Sequence, residues 1–121
     1  CRVPLPWTVS GSSFGFGNGG AHLPQPSWFA QVNVESQEAG DSTLNLYRKA
    51  ISLRKASFSS DSLNWMNLGP NATAFERDGI VCVTNFGKDD LELPGGEVLL
   101  SSAAISGGKL PGNATAWVST L

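Results

Sequence analysis

Hydrophobic and polar residues alternate with a period of two from residue 62 onward, in short runs rich in β-branched and aromatic residues. Turn-forming residues separate these runs. Asp78-Gly79, between two of them, is typical of a tight hairpin turn whose central positions both need positive φ. The pattern predicts a small antiparallel β-sandwich. Its predicted strands are Leu63–Leu68, Ala72–Arg77, Ile80–Asn85, Leu91–Leu93, Glu97–Ser102 and Ala114–Thr120.

Residues 41–56 have the period of an amphipathic α-helix instead. Asp41 or Ser42 can cap its first turn, and its basic residues collect toward the C-terminal end, where they complement the helix dipole. The helix has a wide apolar face, which needs a broad partner. This face is formed by Leu44, Tyr47 and Ile51, with Leu46, Ala50 and Leu53 beside them.

Residues 1–40 lack any regular period, because prolines and glycines interrupt every candidate element. The segment is nevertheless rich in rings that normally seek burial: Trp7, Phe14, Phe16, Trp28 and Phe29. An irregular stretch longer than about 15 residues is uncommon inside a compact domain. We therefore expect a neighbouring N-terminal domain, outside this sequence, to cover it, and expect the chain to be the C-terminal end of a longer protein.

Together these patterns predict a mainly β fold, in which a C-terminal antiparallel β-sandwich follows one α-helix and an irregular segment. We assign residues 58–121 to the sandwich domain and residues 1–57 to the end of another domain, with a loop over 1–40 and the helix over 41–56. A chain of 121 residues is long enough for one domain with its own core.

Composition excludes two classes of partner. The net charge of −2 leaves no basic surplus for phosphates, so we expect no nucleic-acid partner. No apolar stretch approaches the roughly 20 residues that cross a bilayer, so we expect no membrane partner. The two cysteines, Cys1 and Cys82, have neither metal nor redox spacing. Two reduced thiols in a cytoplasmic protein fit best, although a Cys1–Cys82 bridge stays open.

The residues contain no complete catalytic set. His22 is the only histidine, which rules out multi-histidine metal sites, and it lies in a loop without a serine elbow or a paired acid. No two acidic residues stand out as the opposed carboxylates of a glycosidase. The glycine-rich stretch GFGNGG does not join a strand to a helix, which argues against phosphate binding. We therefore predict no catalytic residue, metal site or cofactor in this chain.

Arg2 is the one residue of chemical interest. It lies in CRVPLPW, where Pro4 and Pro6 stiffen the backbone and Trp7 can hold it by packing. Such a setting suits a guanidinium that pairs with a carboxylate or with sugar hydroxyls. An ordinary surface arginine is the alternative interpretation.

CRVPLPW resembles the Arg-Asp-Gly-X-Arg-X-Pro-X-X-Trp run that follows the last barrel strand in α-glucosidases of glycoside hydrolase family 13, from its fourth position onward. The similarity continues along almost the whole chain. The stretch from Ser42-Thr43-Leu44 to Leu53-Arg54 resembles the last barrel helix of that family. Further matches are Phe14-Gly15-Phe16, Trp28 ahead of Asn33-Val34-Glu35, and, for the C-terminal β-domain, Phe75-Glu76-Arg77, Val81-Cys82-Val83, Asn85-Phe86-Gly87 and Leu93-Pro94.

The resemblance implies a retaining enzyme that cleaves α-glucosidic bonds of oligosaccharides. In the family, a (β/α)8 barrel carries an Asp nucleophile, a Glu acid/base and a third Asp, all upstream of the position of Cys1, so we expect this chain alone to be inactive. Arg2 matches an arginine near the site of the non-reducing glucose, which makes it our substrate-binding candidate. The implied partners are α-linked gluco-oligosaccharides, bound through the barrel, and the barrel itself. The resemblance further implies that the sandwich is structural and that the loop from Val9 to Gln37 lies near the rim of the substrate pocket.

Two other classes of function stay open. Trp65, Phe75 and Trp117 could form the aromatic platform of a carbohydrate-binding module, although rings at strand positions are more often part of a core. The chain could also be an interaction or assembly domain. This third function is suggested by the helix face, which is bare once the barrel is missing. We expect the isolated chain to form a homo-oligomer, because a large apolar patch rarely stays in water.

Overall fold

The computed structural model describes residues 2–121. The chain forms two compact units, Cys1–Arg48 and Lys49–Leu121. Cys1 lies outside the described residues, and so does the Cys1–Cys82 bridge that the sequence left open. The sequence pattern assigns residues 1–57 to the end of a preceding domain and residues 58–121 to a sandwich domain. That assignment stays a prediction.

The first unit contains three short 3₁₀ turns, Ser12–Gly15, Ser27–Gln31 and Glu35–Gln37, joined by irregular backbone. The prolines and glycines thus prevent longer elements, as predicted, but leave room for single turns. Backbone hydrogen bonds from Val34 to Pro6 and from Glu35 to Trp7, at 3.1 and 2.9 Å, close the two ends of the loop against each other.

The helix α1, Thr43–Ser57, confirms the amphipathic segment. Of the two candidate caps, the structure uses Ser42, whose hydroxyl oxygen accepts a hydrogen bond from the backbone N–H of Asn45 at 3.1 Å. Arg54 and Lys55 lie in the last turn, as the dipole argument requires. The helix has no buried residue, and the predicted apolar face includes Tyr47 and Ile51 at 64% and 51% exposure.

The second unit is antiparallel β structure, so the mainly β fold predicted from the sequence is confirmed. A five-stranded sheet has the order β1-β2-β3-β7-β5, and a two-stranded sheet pairs β4 with β6. The strands are β1 (Asn64–Met66), β2 (Ala72–Arg77), β3 (Ile80–Asn85), β4 (Leu91–Glu92), β5 (Glu97–Ser101), β6 (Lys109–Leu110) and β7 (Ala114–Ser119). Strand β6 is the strand that the sequence pattern missed, and the three 3₁₀ turns of the first unit were not predicted either.

The core lies on one face of the large sheet. Alternate residues of β2, β3 and β7 point toward it, and Leu110 of the small sheet is buried against them. Leu91 of β4 and Ile105 pack around this centre. The two sheets thus enclose the core as a small sandwich. The buried cluster is Ala74, Val81, Val83, Leu110, Ala114 and Ala116.

Asn85 is the buried polar residue of this unit, and both its amide nitrogen and its amide oxygen form hydrogen bonds. Its amide nitrogen donates to the carbonyl oxygens of Asp89 and Leu110 at 2.9 and 3.1 Å, and its amide oxygen accepts from the Gly87 N–H at 2.9 Å. Because a buried polar group must find partners, Asn85 fixes the turn after β3 to the small sheet.

Candidate functional site

The segment that contains Arg2 is held from Pro4 to Val9 by three other parts of the first unit. The side-chain amide of Gln25 donates to the carbonyl oxygens of Pro4 and Ser13, at 3.2 and 3.1 Å. The backbone N–H of Trp7 bonds to the Phe14 carbonyl oxygen at 2.7 Å. The Glu35 carboxylate accepts the Val9 N–H at 2.9 Å. Arg2 precedes this anchored stretch by two residues and is exposed.

Asn33 ties together the second half of the loop. Its amide nitrogen donates to the carbonyl oxygens of Phe29 and Ala30, at 3.1 and 2.9 Å, while its amide oxygen accepts the Ser36 N–H at 2.9 Å. With Pro6, it is one of two buried residues among residues 2–48. The loop is therefore ordered mainly by hydrogen bonds rather than by an apolar core.

The rings of the loop form a small cluster that stays open to solvent. Phe29 meets Phe14 and Trp28 edge to face, with ring centroids 6.1 and 4.7 Å apart. Trp28 and Phe16 are both 56% exposed. The first unit thus presents large apolar side chains without burying any of them completely.

The two residues singled out for their chemistry, Arg2 and His22, are both exposed. Arg2 lies in the anchored N-terminal segment, whereas His22 is exposed in the loop between the first two 3₁₀ turns. Within residues 2–121, no three His, Cys, Asp or Glu side chains come together as a possible metal site. We therefore take the surface around Arg2 and the loop as the candidate site of this chain.

The three rings considered for a sugar platform lie on one face of the five-stranded sheet, opposite the core. Trp65 faces Phe75, Phe75 faces Cys82, Cys82 faces Trp117, and Trp117 faces Leu100 across successive strand pairs. Residues directly opposed in antiparallel strands share a face. We call these five residues the outward row.

The outward row is covered only in part by its own unit. Phe58, directly after α1, meets Trp117 edge to face at 5.7 Å between centroids, and the Arg77 guanidinium lies 5.4 Å from the centre of the Phe58 ring. At the sheet edge Trp65 contacts Phe75 at 5.8 Å and is 72% exposed. Burial in the middle of the row raises the pKa of the Cys82 thiol.

Sequence reasoning missed the residues that position these surfaces. Gln25 gave no signal, and Asn33 was noted only as part of the family resemblance, since a polar residue in an irregular stretch is ordinarily solvated. Phe58 and Arg77 were recognisable as an aromatic and a charged residue. They are 19 residues apart in the sequence, so their contact could be found only from the fold.

None of the helices in the described part of the chain has the length and hydrophobicity needed to span a bilayer. No protein-family model matches the chain. A search of curated protein sequences likewise finds no significant match.

Proposed function

We propose that this chain is the C-terminal part of a retaining α-glucosidase of the glycoside hydrolase family 13 type, acting on α-glucosidic bonds of oligosaccharides. In this proposal residues 1–57 complete a catalytic barrel that carries the three catalytic carboxylates. Residues 58–121 form a structural sandwich. The identity of the enzyme class comes from the resemblance at CRVPLPW and along the rest of the chain.

The observation that carries the proposal is that the first unit and α1 leave large apolar side chains exposed. Trp7, Phe16 and Trp28 are exposed, and the apolar face of α1 contains no buried residue. Fully burying one such side chain is worth about 1.5–3 kcal/mol, so a segment with this many exposed rings gains much by packing on a companion domain. A barrel whose last helix is α1 supplies that companion.

Arg2 has the role of a sugar contact in this proposal. Its neighbours Pro4 and Trp7 are fixed by hydrogen bonds to Gln25 and Phe14, so the backbone next to Arg2 is held in place. A guanidinium presents its donors in a planar fork that fits a carboxylate or a pair of hydroxyls. Arg2 would thereby orient the non-reducing glucose beside the barrel's carboxylates.

The enzyme is proposed to act in the cytoplasm. The support is the cysteine spacing, which is typical of neither a disulfide framework nor a metal site and so accords with a reducing compartment. Asn71 and Asn113, which begin glycosylation sequons, are then unmodified turn residues.

The test compares the purified chain with the same chain extended N-terminally by the polypeptide that its gene encodes upstream, both assayed on a chromogenic α-glucoside. We expect turnover, with retention of configuration, for the extended protein only. In it, Arg2→Lys should lower kcat/KM roughly tenfold to a hundredfold, because the charge stays but the fork is lost.

Arg54→Lys is the matched control, since Arg54 is exposed in the last turn of α1 and should leave kcat/KM unchanged. Turnover by the chain of residues 1–121 alone, persisting through repeated purification, would contradict the proposal. So would an extended protein without activity on any α-glucoside.

A further inference from the structure

The loop of the first unit contains the only Asn-Gly pair of the chain, Asn18-Gly19 in GFGNGG. Both residues are exposed and lie in irregular backbone between the 3₁₀ turns Ser12–Gly15 and Ser27–Gln31. The side-chain amide of an asparagine can react with the backbone nitrogen of the residue that follows it. Glycine hinders this reaction least, because it has no Cβ atom and adopts the widest range of φ and ψ. The pair therefore combines a permissive neighbour with access to water.

The backbone around Asn18 is not packed by any other part of the described chain. A Cβ atom at Gly17 or at Gly19 would meet nothing within 4 Å. None of the backbone hydrogen bonds that close the loop among residues 2–121 involves Gly19. The side chains of Gln25 and Asn33 anchor other parts of the same loop. Because few contacts hold it, the stretch around Asn18 can reach the geometry for the reaction without unfolding of the rest.

Asp78-Gly79 is capable of related chemistry, but its hydrogen bonds hold it in place. The Gly79 N–H donates to Oε1 of Glu76 at 2.7 Å. The Asp78 carboxylate accepts the N–H groups of Ser59 and Ser60. A reaction between the Asp78 side chain and the Gly79 nitrogen must first break these bonds, so it requires local unfolding of the hairpin. The chain thus contains one free and one protected pair of this kind.

We propose that Asn18 is a site of spontaneous deamidation in the folded protein. The backbone nitrogen of Gly19 gives up its proton and attacks the side-chain carbonyl carbon of Asn18. A new carbon–nitrogen bond closes a succinimide ring, while the old bond to the amide nitrogen breaks and that nitrogen leaves as ammonia with the proton. Solvent water opens the ring at either carbonyl carbon and leaves aspartate or isoaspartate. The sum consumes one water and releases one ammonia, without oxidation or reduction.

Deamidation changes the loop of the first unit and leaves the fold intact. Either product adds a carboxylate and so makes the formal net charge of −2 more negative by one. Isoaspartate also adds a methylene to the backbone, which the unpacked stretch can accommodate. Preparations of the protein should therefore become heterogeneous in charge with age, without loss of stability. This inference does not depend on the proposed function.

Incubation of the purified chain in heavy-oxygen water at mildly alkaline pH tests the proposal. After digestion with chymotrypsin in ordinary water, the peptide of residues 17–28 is analysed by liquid chromatography and mass spectrometry. We expect two separable products, each carrying one heavy oxygen atom from the opening of the ring. Gly19→Ala should slow their formation roughly tenfold, because its Cβ atom hinders the attack. Gly17→Ala is the matched control, since that Cβ atom also meets nothing in the fold and residue 17 does not react.

A parallel incubation in guanidinium chloride separates the effect of the fold from that of the sequence. The rate at Asn18 should agree within about twofold between the folded and the denatured chain, because the fold does not restrain this pair. Isoaspartate at Asp78 should form faster in denaturant than in the folded chain.

A folded chain in which Asn18 reacts roughly tenfold more slowly than in denaturant would overturn the proposal, since the fold would then restrain the pair. Gly19→Ala reacting as fast as the unchanged chain, or products without heavy oxygen, would overturn the succinimide route. Equal rates at Asp78 in both conditions would contradict the protection on which the comparison rests.

Discussion

Asp78 has two structural roles, one through its backbone and one through its side chain. Its backbone adopts φ 51° in the hairpin turn between β2 and β3, followed by Gly79 at φ 76°, as the Asp-Gly pair predicts. Its carboxylate accepts the backbone N–H groups of Ser59 and Ser60, at 2.8 and 3.1 Å. The turn therefore also fixes the segment that carries Phe58 onto the outward row.

These hydrogen bonds make the stability of the second unit sensitive to acid. The N–H groups of Ser60 and Ser59 lower the pKa of Asp78, and the side-chain amide of Asn64 and the Gly79 N–H lower the pKa of Glu76. A carboxyl whose folded pKa lies below its unfolded value contributes stability above the unfolded pKa, about 4. That stability is lost as the pH falls through the folded pKa.

We expect the free energy of unfolding, from urea titrations followed by tryptophan fluorescence, to be nearly constant from pH 7 to 5 and to fall below about pH 4. Asp78→Asn should be less stable than the unchanged chain at pH 7 and should show a shallower decline in acid. Asp90→Asn, in an exposed turn, should leave the decline unchanged. An Asp78→Asn profile parallel to that of the unchanged chain over pH 7–3 would contradict the role given to this carboxylate.

At the scale of elements, strands with strict alternation and a clear turn could be predicted residue by residue. The strands Ala72–Arg77 and Ile80–Asn85 have the predicted bounds. The Asp78-Gly79 turn fixes where the first strand ends and where the second begins. Strand β6, Lys109–Leu110, was missed because two residues cannot display a period. The start of α1 shifted from 41 to 43 because Ser42, rather than Asp41, supplies the cap.

Two neighbouring glycines at the start of β5 differ sharply in their surroundings. Gly96 has φ 145°, and a Cβ atom there would collide with the carbonyl oxygen of Ser119 on β7. Around Gly95, a Cβ atom would meet nothing within 4 Å. The pairing of β5 with β7 therefore requires a glycine at 96 but not at 95.

Gly96→Ala should destabilise the chain by more than about 1 kcal/mol, and Gly95→Ala should change the free energy of unfolding by less than about 0.5 kcal/mol. Urea denaturation of the two variants under identical conditions measures the difference. Equal stabilities would contradict the backbone geometry described for the start of β5.

At the scale of the whole molecule, the sequence predicted the class of fold but not its surfaces. Periodicity identified the sandwich and the helix, since both follow from local spacing. The sequence suggested Trp65, Phe75 and Trp117 as a possible platform, but not the full outward row, because its five members come from five strands and meet only through their register. The positions of Gln25 and Asn33 likewise depend on how an irregular loop closes on itself.

The central proposal is that the exposed rings of the loop and the bare face of α1 belong to a protein with a catalytic barrel. The most direct measurement is the nucleotide sequence upstream of the codon for Cys1. If the claim holds, the same reading frame encodes Arg-Asp-Gly immediately before Cys1 and, before that, roughly 300 residues of alternating strands and helices. A frame that encodes neither would contradict it.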